Sequence, residues 1–196
     1  MTNDALLDLL TSDVAAWNAW RVQYHDTSID LSGADLQNLD LMEANLSGIN
    51  LQGANLQGAS IIVSDLSGAN LQGANLSGAV LTGSDLIGTH LRSCALANTD
   101  LSYSNLTWAN LHEANLTGAT LTETILFNAD LSFANLTKAQ FKRAILTGAS
   151  LQEANLTEVN LMGADLDGVT LPLQFTGLTM TFQATPKAHD TGASRV

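Results

Sequence analysis

An all-β solenoid with four sides to each coil is the fold class predicted for this 196-residue chain. Three observations predict it. From Leu31 to Leu171 an apolar residue recurs at every fifth position, 29 times without insertion or slip. Two residues before it stands Ala in 17 of the 29, as at Ala34, Ala54 and Ala74, and between the two stands Asp or Asn in 19, as at Asp35, Asn55 and Asn75, so each repeat carries an apolar–polar–apolar triplet. A slower period of 20 joins Ser64, Ser84, Ser104 and Thr124, and also Ile29 and Ile49. Repeats of this kind decide an architecture before local propensity does.

The fast period excludes both regular elements. Residues on an α-helix turn about 100° each, so every fifth leucine would drift around the axis. In a flat strand side chains alternate, and an odd period would send successive leucines to opposite faces. The backbone must therefore bend once per repeat. A short extended piece points Ala34 and Leu36 inward and Asp35 outward, and Gln37 and Asn38 form the corner. Gly fills the second corner position in 13 of 29 repeats, as at Gly33, Gly48 and Gly53, where a turn with positive φ would want it. The slow period sets four such sides to a coil. That gives about seven coils and a rod roughly 34 Å long at the spacing of paired strands.

Residues 1–28 precede the repeat and are expected to form an N-terminal α-helical cap. Asn3-Asp4 can cap a helix carrying Leu6, Leu7, Leu9 and Leu10. Thr11 or Ser12 can cap a second with Val14, Trp17, Trp20 and Tyr24 on one face. Such a lid covers strand edges and leucines that the first coil would expose. The early coils, 44–79, use Ser, Gln and Gly outside and predict a smooth solvated shell. From Ser84 to Ser104 the small position departs from Ala at Ser84, Thr89, Cys94, Thr99 and Ser104. Register puts all five inside, where the hydroxyls are expected to satisfy themselves internally and Cys94 to be a small core residue. The repeat region is 29–173. Beyond it Leu171, Leu173, Phe175, Leu178, Met180 and Phe182 alternate around Gly177, which predicts a C-terminal cap segment at 174–183 or a homodimer contact through Leu173–Phe182. Residues 184–196 read as a disordered tail.

Runs such as ADLQN, ANLSG, ANLQG and ADLDG resemble the pentapeptide-repeat family, consensus A(D/N)LXX, over about three quarters of the chain. WNAWR resembles the helical N-cap of cyanobacterial members. The resemblance implies a right-handed quadrilateral β-helix with the Leu and Ala positions inside, and the handedness comes from it alone.

Function is read from the outside of the rod. Projected four to a coil, Ile87, Trp108, Ile125, Phe127 and Ile145 fall on one face, with Tyr103 at the neighbouring corner, and exposed apolar patches mark partner surfaces. The expected function is therefore a non-catalytic binding or scaffold module that presents this face to an as yet unidentified protein partner. His90 and His112 lie near Arg92, whose charge opposes a metal there. No phosphate loop, CxxC, HExxH or nucleophile elbow occurs, and a regular rod offers no concave pocket, so no enzyme, cofactor or metal is expected. The alternative is a DNA mimic acting on DNA gyrase, because gyrase-protecting pentapeptide-repeat proteins resemble this rod in acidity and size. Duplex DNA of the same length carries about 20 charges. The repeat region holds 14 acids against four bases, and Lys138, Lys142 and Arg143 form a basic cluster no mimic needs. Direct nucleic-acid binding is not expected of a chain with net charge −12. Asp4, Asp8 and Asp13 interrupt the N-terminal apolar residues, no apolar run is long enough to span a membrane, and one cysteine fits a reducing compartment, so a cytoplasmic location is expected.

Overall fold

The computed structural model describes residues 2–173. The segment expected at 174–183, the tail 184–196 and most of the Leu173–Phe182 dimer contact lie outside the described residues.

Every side of the coil is built the same way. The residue between the two inward positions forms a parallel bridge to the residue 20 positions on, from Asp30↔Asn50 to Ser150↔Thr170. One circuit therefore takes four repeats. The first face carries Leu31, Leu51 and their successors at intervals of 20, and the second carries Leu36 and Leu56. The third carries Leu41 and Ile61, and the fourth Leu46, Leu66, Leu86, Leu106, Leu126 and Leu146. These apolar positions are buried along the rod, and the small positions between them complete a continuous core. At the corners the N–H of the next small residue donates back to the apolar residue's carbonyl three residues earlier, as Ala34 to Leu31 at 3.1 Å, except that Ser64 N–H donates to Ser84 Oγ at 3.1 Å.

The corner explains the glycines and shows how far the repeat can override them. The third turn residue has positive φ at all positions from Gly33 to Gly168, as a type II turn requires. Besides glycines, 15 other residues adopt it, among them Tyr103, Trp108, Phe133 and the β-branched Val63 at φ 55°. Asparagines at this corner lean over a glycine in the next coil. The Oδ1 of Asn98 would lie 2.6 Å from a Cβ at Gly118.

Asp and Asn recur on the outside because they cap their own turns. Asp65 Oδ1 accepts from Ser67 N–H at 2.9 Å, and Asn105 Oδ1 accepts from Thr107 N–H at 3.1 Å. Inside, the hydroxyls donate to carbonyls of the buried Leu/Ile positions. Ser64 reaches Leu41 O at 2.8 Å, Thr99 reaches Leu76 O at 2.8 Å and Thr124 reaches Leu101 O at 2.7 Å. No hydroxyl in this ladder is left without a partner.

The cap is two helices, α1 (Asn3–Ser12) and α2 (Val14–Gln23). Their N-caps are Thr2 and Asp13, each accepting from the N–H three residues on, and not Asn3 or Thr11/Ser12. In TSD, three consecutive residues are competent caps, and the short gap between the helices selects the last. Leu6, Leu10 and Trp17 are buried against the coil interior. Trp20 stacks on Trp17 at 6.0 Å and Tyr24 on Trp20 at 5.1 Å, but Tyr24 is exposed and Arg21 takes the buried place expected of it.

α2 replaces the coil that the fourth face lacks at its start. Asn18 accepts from Asn45 N–H at 2.8 Å and donates to Glu43 O at 2.9 Å. Trp17 Nε1 donates to Asn45 O at 2.8 Å and Arg21 to Ser47 O at 2.6 Å. Four side-chain bonds thus close the open backbone edge. Burial lowers the Arg21 pKa, partly offset by Asp65.

Candidate functional site: the apolar fourth face

On the fourth face the alternation that buries Leu106 and Leu126 turns their neighbours outward. The outward bridge column reads Asn45, Asp65, Asp85, Asn105, Ile125, Ile145, Asp165. The column after the leucines reads Ser47, Ser67, Ile87, Thr107, Phe127, Thr147, Asp167. Apolar side chains thus replace polar ones only in the middle coils. Ile125 and Ile145 are bridge partners, and Trp108 N–H donates to Phe127 O at 2.9 Å, so these residues sit in adjacent coils. Trp108 and Tyr103, at the two corners bounding the face, are 62% and 60% exposed, and Ile145, Phe127 and Ile125 are 41%, 39% and 37% exposed, so the patch is open to a partner. Ile87 stands on the same outward column and is half-buried.

The bridge positions under this patch are paired on both sides. Asp85 N–H donates to Ser64 O and Leu86 N–H to Asn105 O, at 2.9 and 2.8 Å, and the same exchange repeats at Asn105, Ile125 and Ile145. Among the described residues the N–H groups of Phe127 and Thr147, which follow Ile125 and Ile145 where no Asp or Asn oxygen caps the turn, are left without a partner, so the face offers side chains and two isolated N–H groups but no strand edge.

A polar cluster occupies the first face, and column arithmetic at a period of 20 would have found it. His112 Nδ1 lies 2.8 Å from Ser132 Oγ, which itself donates to Asp130 Oδ1. Glu113 holds Arg92 at 3.0 Å and accepts from Ser93 at 3.2 Å, and these two hydrogen bonds hold its carboxyl below the usual glutamate range. His112 also meets the exposed Phe133 edge-on at 5.3 Å. Among the described residues His90 makes no ion pair or side-chain hydrogen bond to the cluster, and no group of His, Cys, Asp and Glu there is placed to hold a metal.

Other sequence-singled groups are separated by the fold. Lys138 pairs with Glu158 at 3.9 Å and Arg143 with Glu123 at 3.3 Å, on opposite corners of the third face, both exposed and worth little. Cys94 is buried, bonds weakly to Leu71 O at 2.8 Å, and burial pushes its thiol up to about 12. A cavity of about 260 Å³ lies between α1 and the first coil, lined among others by Asn3, Asp4, Leu7 and Asp30. Among the described residues no helix is long and apolar enough to cross a membrane.

A family model described as pentapeptide repeats (8 copies) matches residues 28–61, 64–102, 104–143 and 134–171. No curated protein shows a match. Among solved structures, HetL, a pentapeptide repeat protein involved in heterocyst differentiation regulation in the cyanobacterium Nostoc sp. strain PCC 7120, is 31% identical over 74% of this chain and 80% of its own, with a TM-score of 0.44. A pentapeptide repeat protein of the Arabidopsis thaliana thylakoid lumen is 33% identical over 56% of this chain and 66% of its own, with a TM-score of 0.40. QnrB1, a plasmid-mediated fluoroquinolone resistance protein, is 24% identical over 74% of this chain and 81% of its own, with a TM-score of 0.40.

Proposed function

This chain belongs to the pentapeptide-repeat family, and from that premise we propose that it is a non-catalytic binding module holding a protein partner on its fourth face. Membership carries the right-handed quadrilateral winding with it. In this reading residues 29–173 are a rod of about seven coils at 20 residues per coil, and residues 1–28 are its lid. One observation carries the function. Trp108, Ile125, Phe127 and Ile145 are exposed on one face, where the earlier coils of the same face present Ser, Asn and Asp. Contiguous exposed apolar surface costs solubility unless something covers it, and aromatic side chains are the usual anchors of an interface. A cytoplasmic site of action fits the chain's single cysteine.

The DNA-mimic reading has less support. Duplex DNA presents its charge as two continuous tracks. Here the acids divide among the faces, with Asp30 and Asp130 on the first, Asp35 on the second, Asp40 and Asp100 on the third, and Asp65, Asp85 and Asp165 on the fourth.

The test is capture from native lysate by wild type and by the Trp108→Ala/Phe127→Ala double variant. Both side chains lie outside the core, so melting should be unchanged and partner recovery lost. Recovery that survives the double change, with deletion of 174–182 removing it instead, would place binding at the C-terminal end. Inhibition of gyrase supercoiling by the rod would favour the mimic.

A further inference from the structure

Resting on the fourth-face reading, we infer that the occupant is an amphipathic α-helix of the partner, apolar along its contact stripe and basic at both ends. The bridge positions under the patch are consumed by the ladders on either side, so no strand can be added edge-on to it. An extended peptide laid across the patch would press its own unpaired N–H and C=O groups onto apolar side chains. A helix satisfies its backbone internally and packs on a sheet face through side chains alone.

Charge fixes the ends. Asp85 borders the apolar patch on one side, and Asp165 and Asp167 border it on the other. Among the described residues none of the three lies in an ion pair. Each aspartate at a bridge position spends Oδ1 on its own turn, accepting from Ile87 N–H at 3.3 Å and from Asp167 N–H at 3.1 Å. The cation at the corner, Arg143, is already held by Glu123. Asp85 and Asp165 are four coils apart, roughly 19 Å at the spacing of paired strands. A helix covers that distance in about 13 residues. The same arrangement disfavours a second copy of this chain. Two fourth faces packed about a two-fold axis would set Asp85 against Asp165 and Asp167.

The test uses the full-length protein and fluorescein-labelled 16-residue helical peptides with one Leu/Ile stripe on an Ala background. One has two lysines at each end, one has glutamates there, and one has Ser in place of the stripe. The Lys-ended peptide should bind saturably by anisotropy, and the Ser-striped one should not. Asp85→Asn/Asp165→Asn/Asp167→Asn keeps the turn-capping oxygens and should weaken binding about tenfold at low salt. Trp108→Ala/Phe127→Ala should weaken it about thirtyfold or more. Equal binding of Lys- and Glu-ended peptides, both lost in the double variant, would overturn the basic helix and leave the face reading standing. Lys-ended binding indifferent to the double variant would overturn both. No binding of any peptide overturns the helix, while the lysate capture decides the face. A wild-type dimer in sedimentation that the double variant abolishes would make the occupant a second copy and overturn the inference.

Discussion

Leu106→Asp tests the alternation on which every placement above depends. Leu106 is fully buried in its column between Leu86 and Leu126, which are also fully buried. Its N–H donates to Ile125 O at 2.7 Å and its carbonyl accepts from Ala109 N–H at 3.0 Å. Removing a leucine side chain from such a site costs about 2–5 kcal/mol through lost burial and the cavity left behind. A carboxylate facing stacked leucines adds several kcal/mol more, or takes up a proton. Together these approach the whole stability of a domain, about 5–15 kcal/mol. Each coil leans only on its neighbours, so the damage should start in the middle of the rod. Asn105→Asp is the matched control. Asn105 is half-exposed, and its Oδ1 accepts from Thr107 N–H at 3.1 Å and Oγ1 at 2.7 Å, bonds that a carboxylate also makes. Its change should stay within about 0.5 kcal/mol. Urea unfolding followed by circular dichroism reads both. Leu106→Asp should lose at least about 4 kcal/mol or unfold in two steps. Equal losses in the two variants would refute the inward assignment.

Three further outcomes follow from particular residues. Val63→Asn should stabilise by about 1 kcal/mol in urea unfolding, because it relieves a β-branched residue held at φ 55° and faces Gly83 in the next coil, as Asn98 faces Gly118. Asn18→Ala should cost about 1–3 kcal/mol and speed hydrogen exchange at the Asn45 amide, whose acceptor it removes. The Cys94 thiol ionises in the folded rod only at about 12 against 9.0 when free, so the unfolded chain releases this proton first and stability should fall as pH rises from 9 toward 12. Cys94→Ala should flatten that slope, and at pH 8 a maleimide should label wild type no faster than the rod opens.

The five-residue period was enough to place the leucines, the small column and the corners, because one backbone geometry repeats and the sequence states it 29 times. The cap was legible only in outline. Amphipathic patterning puts Tyr24 inside and Arg21 outside, whereas the first coil's open edge draws Arg21 in to Ser47 O. That demand is tertiary and leaves no mark within residues 13–24. The outward column of the fourth face followed from register alone. What the pattern did not show is that Ile87 lies half-buried, or that His112, Ser132, Glu113 and Phe133 meet on the first face. Those contacts join residues about 20 apart, so the five-residue period alone does not show them and only the slow period of 20 brings them together. The positive φ of Val63 follows from register, since it stands at a second corner position, although nothing in its own propensity favours it.

One coil offers a direct comparison of the four faces. His112, Thr117, Thr122 and Phe127 occupy the same position on the first, second, third and fourth sides of a single circuit. A photo-crosslinking amino acid placed at each, in full-length protein expressed in its native cell, reports which side is covered. The account predicts a discrete protein adduct at position 127 that disappears with Trp108→Ala, and none at 112, 117 or 122. Equal adducts at all four positions, or an adduct confined to another side, would contradict it.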